Sequence, residues 1–118
     1  MRAPDPCVLV GPNGVVADRV SWARTFRQRL RGVIGREPLG PDEALVILRC
    51  RRVHTNGVPY VLDAVFCDRR WRVLHVETLV PRSRSARVWR ARNCVELRGG
   101  RAAACGLAPG AQLSVRAK

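Results

Sequence analysis

Val53-His54-Thr55, followed after a short linker by Tyr60-Val61-Leu62-Asp63-Ala64-Val65-Phe66-Cys67-Asp68, is the stretch on which the fold turns. Its second half is a continuous apolar run with a carboxylate inside it, and the run predicts a strand from Tyr60 to Cys67. A charge in such a strand is expensive without partners, so Asp63 has either a structural or a chemical task. Side chains alternate along a strand, which puts Asp63 on one face with Val61 and Val65. A second strand is expected from Arg72 to Leu79, joined to the first by a tight turn around Arg69-Arg70. In that register Asp63 lies opposite Val76, Val65 opposite Leu74, and His75 opposite Ala64.

Other elements follow outward from this hairpin. Cys7 to Val10, the turn Gly11-Pro12-Asn13-Gly14 and Val15 to Ala17 read as a second hairpin. Thr25 with Gln28 three residues on is a capping-box pattern, and Phe26, Leu30, Val33 and Ile34 share one helical face. That helix is expected to stop near Gly35, with Pro38 beyond it. Ala44 to Leu48 reads as a strand that Arg49 to Arg52 carries outward. Arg82 to Arg92 reads as irregular, Cys94 to Leu97 as a strand, Arg101 to Cys105 as a helical turn and Gln112 to Val115 as a last strand. Short strands with Gly/Pro turns and one helix in the N-terminal third predict a mostly β fold, a small compact barrel or jelly-roll-like sandwich.

The pieces quoted so far, together with Arg31-Gly32-Val33-Ile34-Gly35-Arg36, Glu96-Leu97, Gly99-Gly100, Gly106-Leu107 and Pro109-Gly110, resemble the domain of unknown function 192 family. The version resembled is the one reading Val-His-Thr before the acidic strand, and the resemblance spans about residues 16–115. It implies the same mostly β domain with one helix. Relatives carry Met where this chain has Val58, an aromatic where it has Asn56, Pro-Ala-Gly where it has Arg98-Gly99-Gly100, and an acidic residue where it has Ala111. Framework positions are thus kept while loop positions change, and loops carry specificity. Relatives with the Val-His-Thr version are encoded near pilus or secretion machinery, which by resemblance suggests an accessory role in such assembly.

The length, 118 residues, fits a single domain over 1–118 able to bury a core unaided. No window has the apolar length of a membrane span, and the first residues lack a signal peptide's apolar core, so the chain reads as cytoplasmic. Many relatives look exported, so a start codon upstream of Met1 is the other reading. Five cysteines, Cys7, Cys50, Cys67, Cys94 and Cys105, form neither an even set nor a Cys-x-x-Cys pair. They read as reduced core fillers, with no disulfide framework and no zinc ribbon. The net charge is +13, from 22 basic against 9 acidic residues, and every basic residue but Lys118 is arginine. A surface so basic attracts polyanions: an acidic protein, a glycan, an anionic membrane surface, or nucleic acid nonspecifically at low salt.

Four constellations could carry chemistry. His54 with Asp63, assisted by Thr55, could form a general-base pair in a small hydrolase or isomerase. The structural alternative has Asp63 accepting from the backbone of the Val53–Gly57 loop, or pairing with Arg31 or Arg36. Those two arginines, with His54 and Asp63, are also candidates for lining a ligand pocket. Cys50, His54, Cys67, His75, Cys94 and Glu96 offer soft metal ligands, but at spacings that match no known site, so no metal and no cofactor is expected. Arg82, Arg84, Arg87, Arg90 and Arg92, interleaved with Trp89, could hold phosphates and stack a base. Arg69, Arg70, Trp71 and Arg72 form a second such cluster. The glycines make no phosphate-binding loop.

The first reading is therefore a binding or accessory module rather than an enzyme. The hydrolase or isomerase and the nucleic-acid binder stand as alternatives. A pocket lined by both His54 and Asp63 favours the enzyme, and an exposed arginine stripe favours nucleic acid.

Overall fold

Strands covered on both faces are apolar throughout, whereas half-covered strands alternate. The runs around Val46 and, apart from Asp63, Val65 are of the first kind, and with the shorter run at Val95, which Glu96 interrupts, they form the middle of the molecule. The computed structural model describes residues 6–24 and 37–118. Within them the strands are β1 Cys7–Gly11, β2 Gly14–Ala17, β3 Arg19–Ala23, β4 Glu43–Leu48, β5 Leu62–Cys67, β6 Val73–Leu79, β7 Asn93–Arg98 and β8 Ser114–Ala117. One helical turn, α1 Arg101–Ala104, joins β7 to β8. The strands make a three-stranded sheet, β2-β1-β8, and a five-stranded sheet, β3-β4-β7-β5-β6. This is a mostly β, sandwich-like arrangement of two separate sheets, not a closed barrel. The helix expected from Thr25 to Gly35 lies outside the described residues, as do Arg31 and Arg36.

Alternation along the central strands sorts the core into two layers. Val46, Val65, Val95 and Leu97 point toward the three-stranded sheet and pack with Leu9, Val16 and Leu113, with Ala102 of α1 closing the layer. Leu45, Ile47, Leu62, Phe66 and Cys94 point the other way, where Val53, Val58 and Ala91 from two long loops cover them. All six residues of β5 are buried. The outer loops, roughly residues 49–61 and 80–92, thus take the place of a second covering layer.

Several local expectations hold. The hairpin β1–β2 turns at Pro12-Asn13, with Gly11 opposite Gly14, and Gly14 has φ +115, the backbone region that glycine tolerates. β4, β5, β6 and β7 lie where the apolar runs place them, and the segment between Val80 and Arg92 contains no named strand.

The register of the central hairpin differs. Asp63 pairs with Thr78, Val65 with Val76 and Phe66 with His75, with an irregularity before Cys67↔Val73. The turn is wider than expected because Asp68 organises it. Its Oδ1 accepts the N–H groups of Arg70 at 2.8 Å and Arg72 at 3.0 Å, while Trp71 takes a left-handed φ of 65°. The slip is two residues, which preserves which side chains face inward.

β3 was not expected. It is a short edge strand running parallel to β4, anchored where Asp18 and Arg19 N–H both donate to the Asp42 carbonyl. The last strand begins at Ser114, because Leu113 N–H is already taken by the Trp71 carbonyl at 3.0 Å and Gln112 bridges to Arg72.

Candidate functional site

Asp63 is 1% exposed, and both its oxygens are occupied. Oδ1 accepts the Thr78 hydroxyl at 2.7 Å. Oδ2 accepts the N–H groups of Gly100 at 3.0 Å and Ala102 at 2.9 Å. A helix's first N–H groups have no partner within the helix, and Gly100, the N-cap of α1, brings no side chain to supply one. The carboxylate of β5 supplies it from across the core. Gly100 has φ +91, and a Cβ at Gly99 would stand 2.8 Å from Val61 Cγ1, so both glycines are needed to bring this backbone to the strand. The donors differ from those the sequence suggested: neither the Val53–Gly57 loop nor, among the described residues, an arginine meets Asp63.

Thr55 is fully buried and ties the two outer loops together. Its hydroxyl lies 2.6 Å from the Val80 carbonyl, to which it donates, and it accepts Ser83 N–H at 2.8 Å. The backbone continues the seam with Thr55 N–H to the Ser83 carbonyl (2.8 Å), Ser85 N–H to Val53 (2.9 Å), Val88 N–H to Arg51 (2.7 Å) and Cys50 N–H to Arg92 (3.1 Å). Buried loops must satisfy their polar backbone, and here each loop satisfies the other.

The seam sets side chains from both loops around a cavity of about 660 Å³. Arg49, Arg51, Arg52 and His54 come from the first loop, Arg84, Arg87 and Arg92 from the second, and Ile47, Cys50, Val53 and Ala91 complete the lining. Among the described residues no carboxylate lines it. His54 is exposed there, bridged to Arg84, and the cavity does not include Asp63. The histidine stands with the outer loops, whereas Asp63 points, like Val65, toward the opposite core layer. The structure therefore brings His54 together with the arginines and does not bring it to Asp63.

Of the Arg82–Arg92 segment, Arg84, Arg87 and Arg92 line this cavity, while Arg82 is exposed and lines none of the concavities described here. Trp89 is 69% exposed, with the Arg87 guanidinium 5.0 Å from its ring centre. It lines a second concavity of about 450 Å³ with Arg87, Arg90 and His75. It also lines a third of about 560 Å³ with Arg51, Arg69, Arg70, Arg90 and Arg92. Asp68 alone is acidic in the third, and its Oδ1 is engaged by the turn. Sequence reading missed Arg49, Arg51 and Arg52 as site residues. The run Arg49-Cys50-Arg51-Arg52 was visible, but its meeting with Arg84 and Arg87 depends on the seam.

The soft ligands do not gather. Among the described residues no three His, Cys, Asp or Glu side chains stand where they could share a metal ion. Burial pushes the Cys67 thiol up to about 12, with Asp68 adding to the effect. Cys94 is raised well above the usual thiol range, first by burial and then by its hydrogen bond with Cys50. His75 Nε2 instead meets Glu77 Oε1 at 2.9 Å. Burial alone would raise the Glu77 carboxyl, but His75 and the Ala86 N–H hold it below its ordinary value. No helix among the described residues is long and apolar enough to cross a membrane.

A family model, DUF192, described as an uncharacterized ACR, matches residues 8–115. No curated protein matches. A crystal structure of a protein of unknown function from Novosphingobium aromaticivorans is similar, with TM-score 0.78 and 24% identity, covering 92% of this chain and 83% of that one. A Sinorhizobium meliloti protein described provisionally as a transcription regulator has TM-score 0.72 and 23% identity, covering 92% of this chain and 91% of that one. Both likenesses concern the fold.

Proposed function

The chain belongs to the uncharacterised DUF192 family, and from that premise we propose that it is a single-domain, non-enzymatic binding module that takes an anionic partner on its outer-loop face. One observation carries this reading: Arg49, Arg51, Arg52, Arg84, Arg87 and Arg92 converge on one cavity in whose lining, among the described residues, no carboxylate stands. Guanidinium groups present forked donors that suit phosphate, sulfate and carboxylate. Gathering them without counter-charges costs stability through mutual repulsion, which a bound anion relieves. The engagement of both Asp63 oxygens supports the same reading, since a carboxylate holding Thr78, Gly100 and Ala102 has no direct link to His54.

The test is where binding resides, because a chain of this charge attracts polyanions everywhere at low salt. Heparin and inorganic polyphosphate are titrated at about 150 mM salt, where exposed charges are screened beyond roughly 8 Å. Reversing Arg51, Arg84 and Arg87 to Glu should abolish binding. Reversing Arg72, Arg98 and Arg116, which are exposed and line no part of the cavity, should leave it nearly intact. Equal losses from the two sets would reduce the effect to net charge and overturn the reading. An accessory role in pilus or secretion assembly is one setting in which such a module would meet an acidic partner.

A further inference from the structure

Trp89 is not explained by attraction of charge. A large ring left 69% exposed, flanked in sequence by Val88 and Arg90, gives up the hydrophobic gain that burial would bring. It lines both the second and the third concavity, and each of these shares lining residues with the first. Arg87 lines the first and second, while Arg51 and Arg92 line the first and third. The result is one winding basic surface with an aromatic platform in its middle. Its backbone is fixed by the Val88–Arg51 hydrogen bond at 2.7 Å, one residue before the tryptophan.

Such a surface suits a flexible chain that alternates phosphates with flat rings. A simple polyphosphate has phosphates without rings. A bilayer is broad and nearly flat on this scale, and it does not follow three recesses. A duplex keeps its bases stacked inside and offers none to an outside ring. Resting on the polyanion reading above, we infer that the Trp89 rim and its arginine-lined recesses form a binding face for single-stranded nucleic acid. Trp89 stacks on a base, and Arg87, Arg90 and Arg92 hold the flanking phosphates. Arg87 already lies over the ring, so the base takes the open face or displaces the guanidinium. Sequence preference is weak in this arrangement, because every base presents a π face.

Fluorescence anisotropy of the full chain with labelled oligothymidylate and oligouridylate of about twelve nucleotides, a length within the usual single-strand site sizes, tests this at about 150 mM salt. Trp89→Ala should weaken binding about tenfold or more, and Trp89→Phe should restore most of it. The same Trp89→Ala change should leave polyphosphate and heparin affinity unaltered. An abasic oligomer of equal length should bind the native chain no better than it binds the alanine variant. Because Trp89 is exposed, its loss should leave the fold intact, which unfolding curves of the variant check.

The inference falls, with the polyanion reading left standing, if Trp89→Ala binds the oligomers as tightly as the native chain. It falls equally if duplex binds as well as single strand, or if heparin or anionic vesicles depend on Trp89 as strongly as the oligomers do. If heparin, polyphosphate and oligomers all fail to bind at this salt, both readings fall together.

Discussion

The carboxylate of Asp63 accepts the backbone N–H of Ala102 at 2.9 Å across 39 residues of sequence. With Gly100 and Thr78 it closes a three-donor arrangement at the edge of the core. Asp63→Ala leaves the buried Ala102 N–H and the partly covered Gly100 N–H without their acceptor, whereas the exposed Thr78 hydroxyl can turn to water, and should destabilise the chain by about 2 kcal/mol or more in urea unfolding. Asp63→Asn is gentler, about 1 kcal/mol, because the amide oxygen still accepts from Gly100 and Ala102 while its NH2 donates to the Thr78 hydroxyl. A chain as stable with alanine as with aspartate would remove the structural role.

Thr55 performs the corresponding task for the outer loops. Thr55→Val keeps the shape and deletes the hydroxyl, leaving Ser83 N–H without its acceptor. The expected loss is about 1–3 kcal/mol, with faster amide exchange at Ser83 and Ser85. Since the seam positions Arg84 and Arg87, polyanion affinity should fall as well. Thr55→Ser should recover both properties, and recovery of stability without affinity would show that the seam does not organise the cavity.

The contrast between these two residues explains what could be read from the sequence. That Asp63 needed partners was legible from a charge in an apolar strand. Which partners was not, because Gly100 and Ala102 reach it only through α1 packing on β5, and Thr78 only through a register that the Asp68 turn shifts by two residues. β4 and β5 were legible as near-continuous apolar runs, and β7 from the shorter stretch Cys94 to Leu97, which holds one carboxylate, Glu96. β3 was not, because Arg19 to Ala23 is a short edge strand whose parallel partner β4 is distant in sequence, and no turn signal announces the pairing. The arginines of the Arg82–Arg92 segment were visible as a charge run. Their union with Arg49, Arg51 and Arg52 is a tertiary fact, made by hydrogen bonds between two loops that have no secondary structure to announce them.

Thiol chemistry should separate Cys50 from the buried cysteines. Cys50 is half-buried and lines the basic cavity, whereas burial holds Cys67 at about 12 and Cys94 well above the usual thiol range. The thiolate is the reactive form, and burial disfavours it at Cys67 and Cys94. Iodoacetamide near neutral pH, followed by peptide mass spectrometry, should modify Cys50 first and reach Cys67 and Cys94 only in denaturant. Saturating polyphosphate should slow the Cys50 reaction. Early labelling of Cys67 in the native chain would contradict the described packing.

Acid should loosen the arm that carries the arginines. Burial works to raise the Glu77 carboxyl, yet His75 and the Ala86 N–H together bring it below its ordinary value. A carboxyl lowered in the folded state stabilises that state above its unfolded pKa, and the contribution is lost as pH falls through the folded value. The native chain should therefore lose stability on acidification below the ordinary carboxylate range more steeply than Glu77→Gln. The glutamine variant should also show faster exchange at Ala86 near neutral pH. Parallel acid limbs for the two proteins would show that the pair contributes nothing.

Arg49 carries the sharpest tension between stability and binding. It leaves β4 with φ 55, a left-handed conformation that a side chain adopts at some cost and glycine adopts freely. Arg49→Gly should relieve that strain, offset in part by the greater freedom of glycine in the unfolded chain. The net gain is about 0–1 kcal/mol in urea unfolding. The same change removes a guanidinium from the cavity, so polyanion affinity should drop by about threefold or more. For a single-stranded ligand, the dependence of log affinity on log salt should shallow by about 0.7. Stability and affinity moving in opposite directions is what a strained residue kept for binding produces. A variant that gains stability and binds heparin, polyphosphate and oligomers as tightly as before would take Arg49 out of the site.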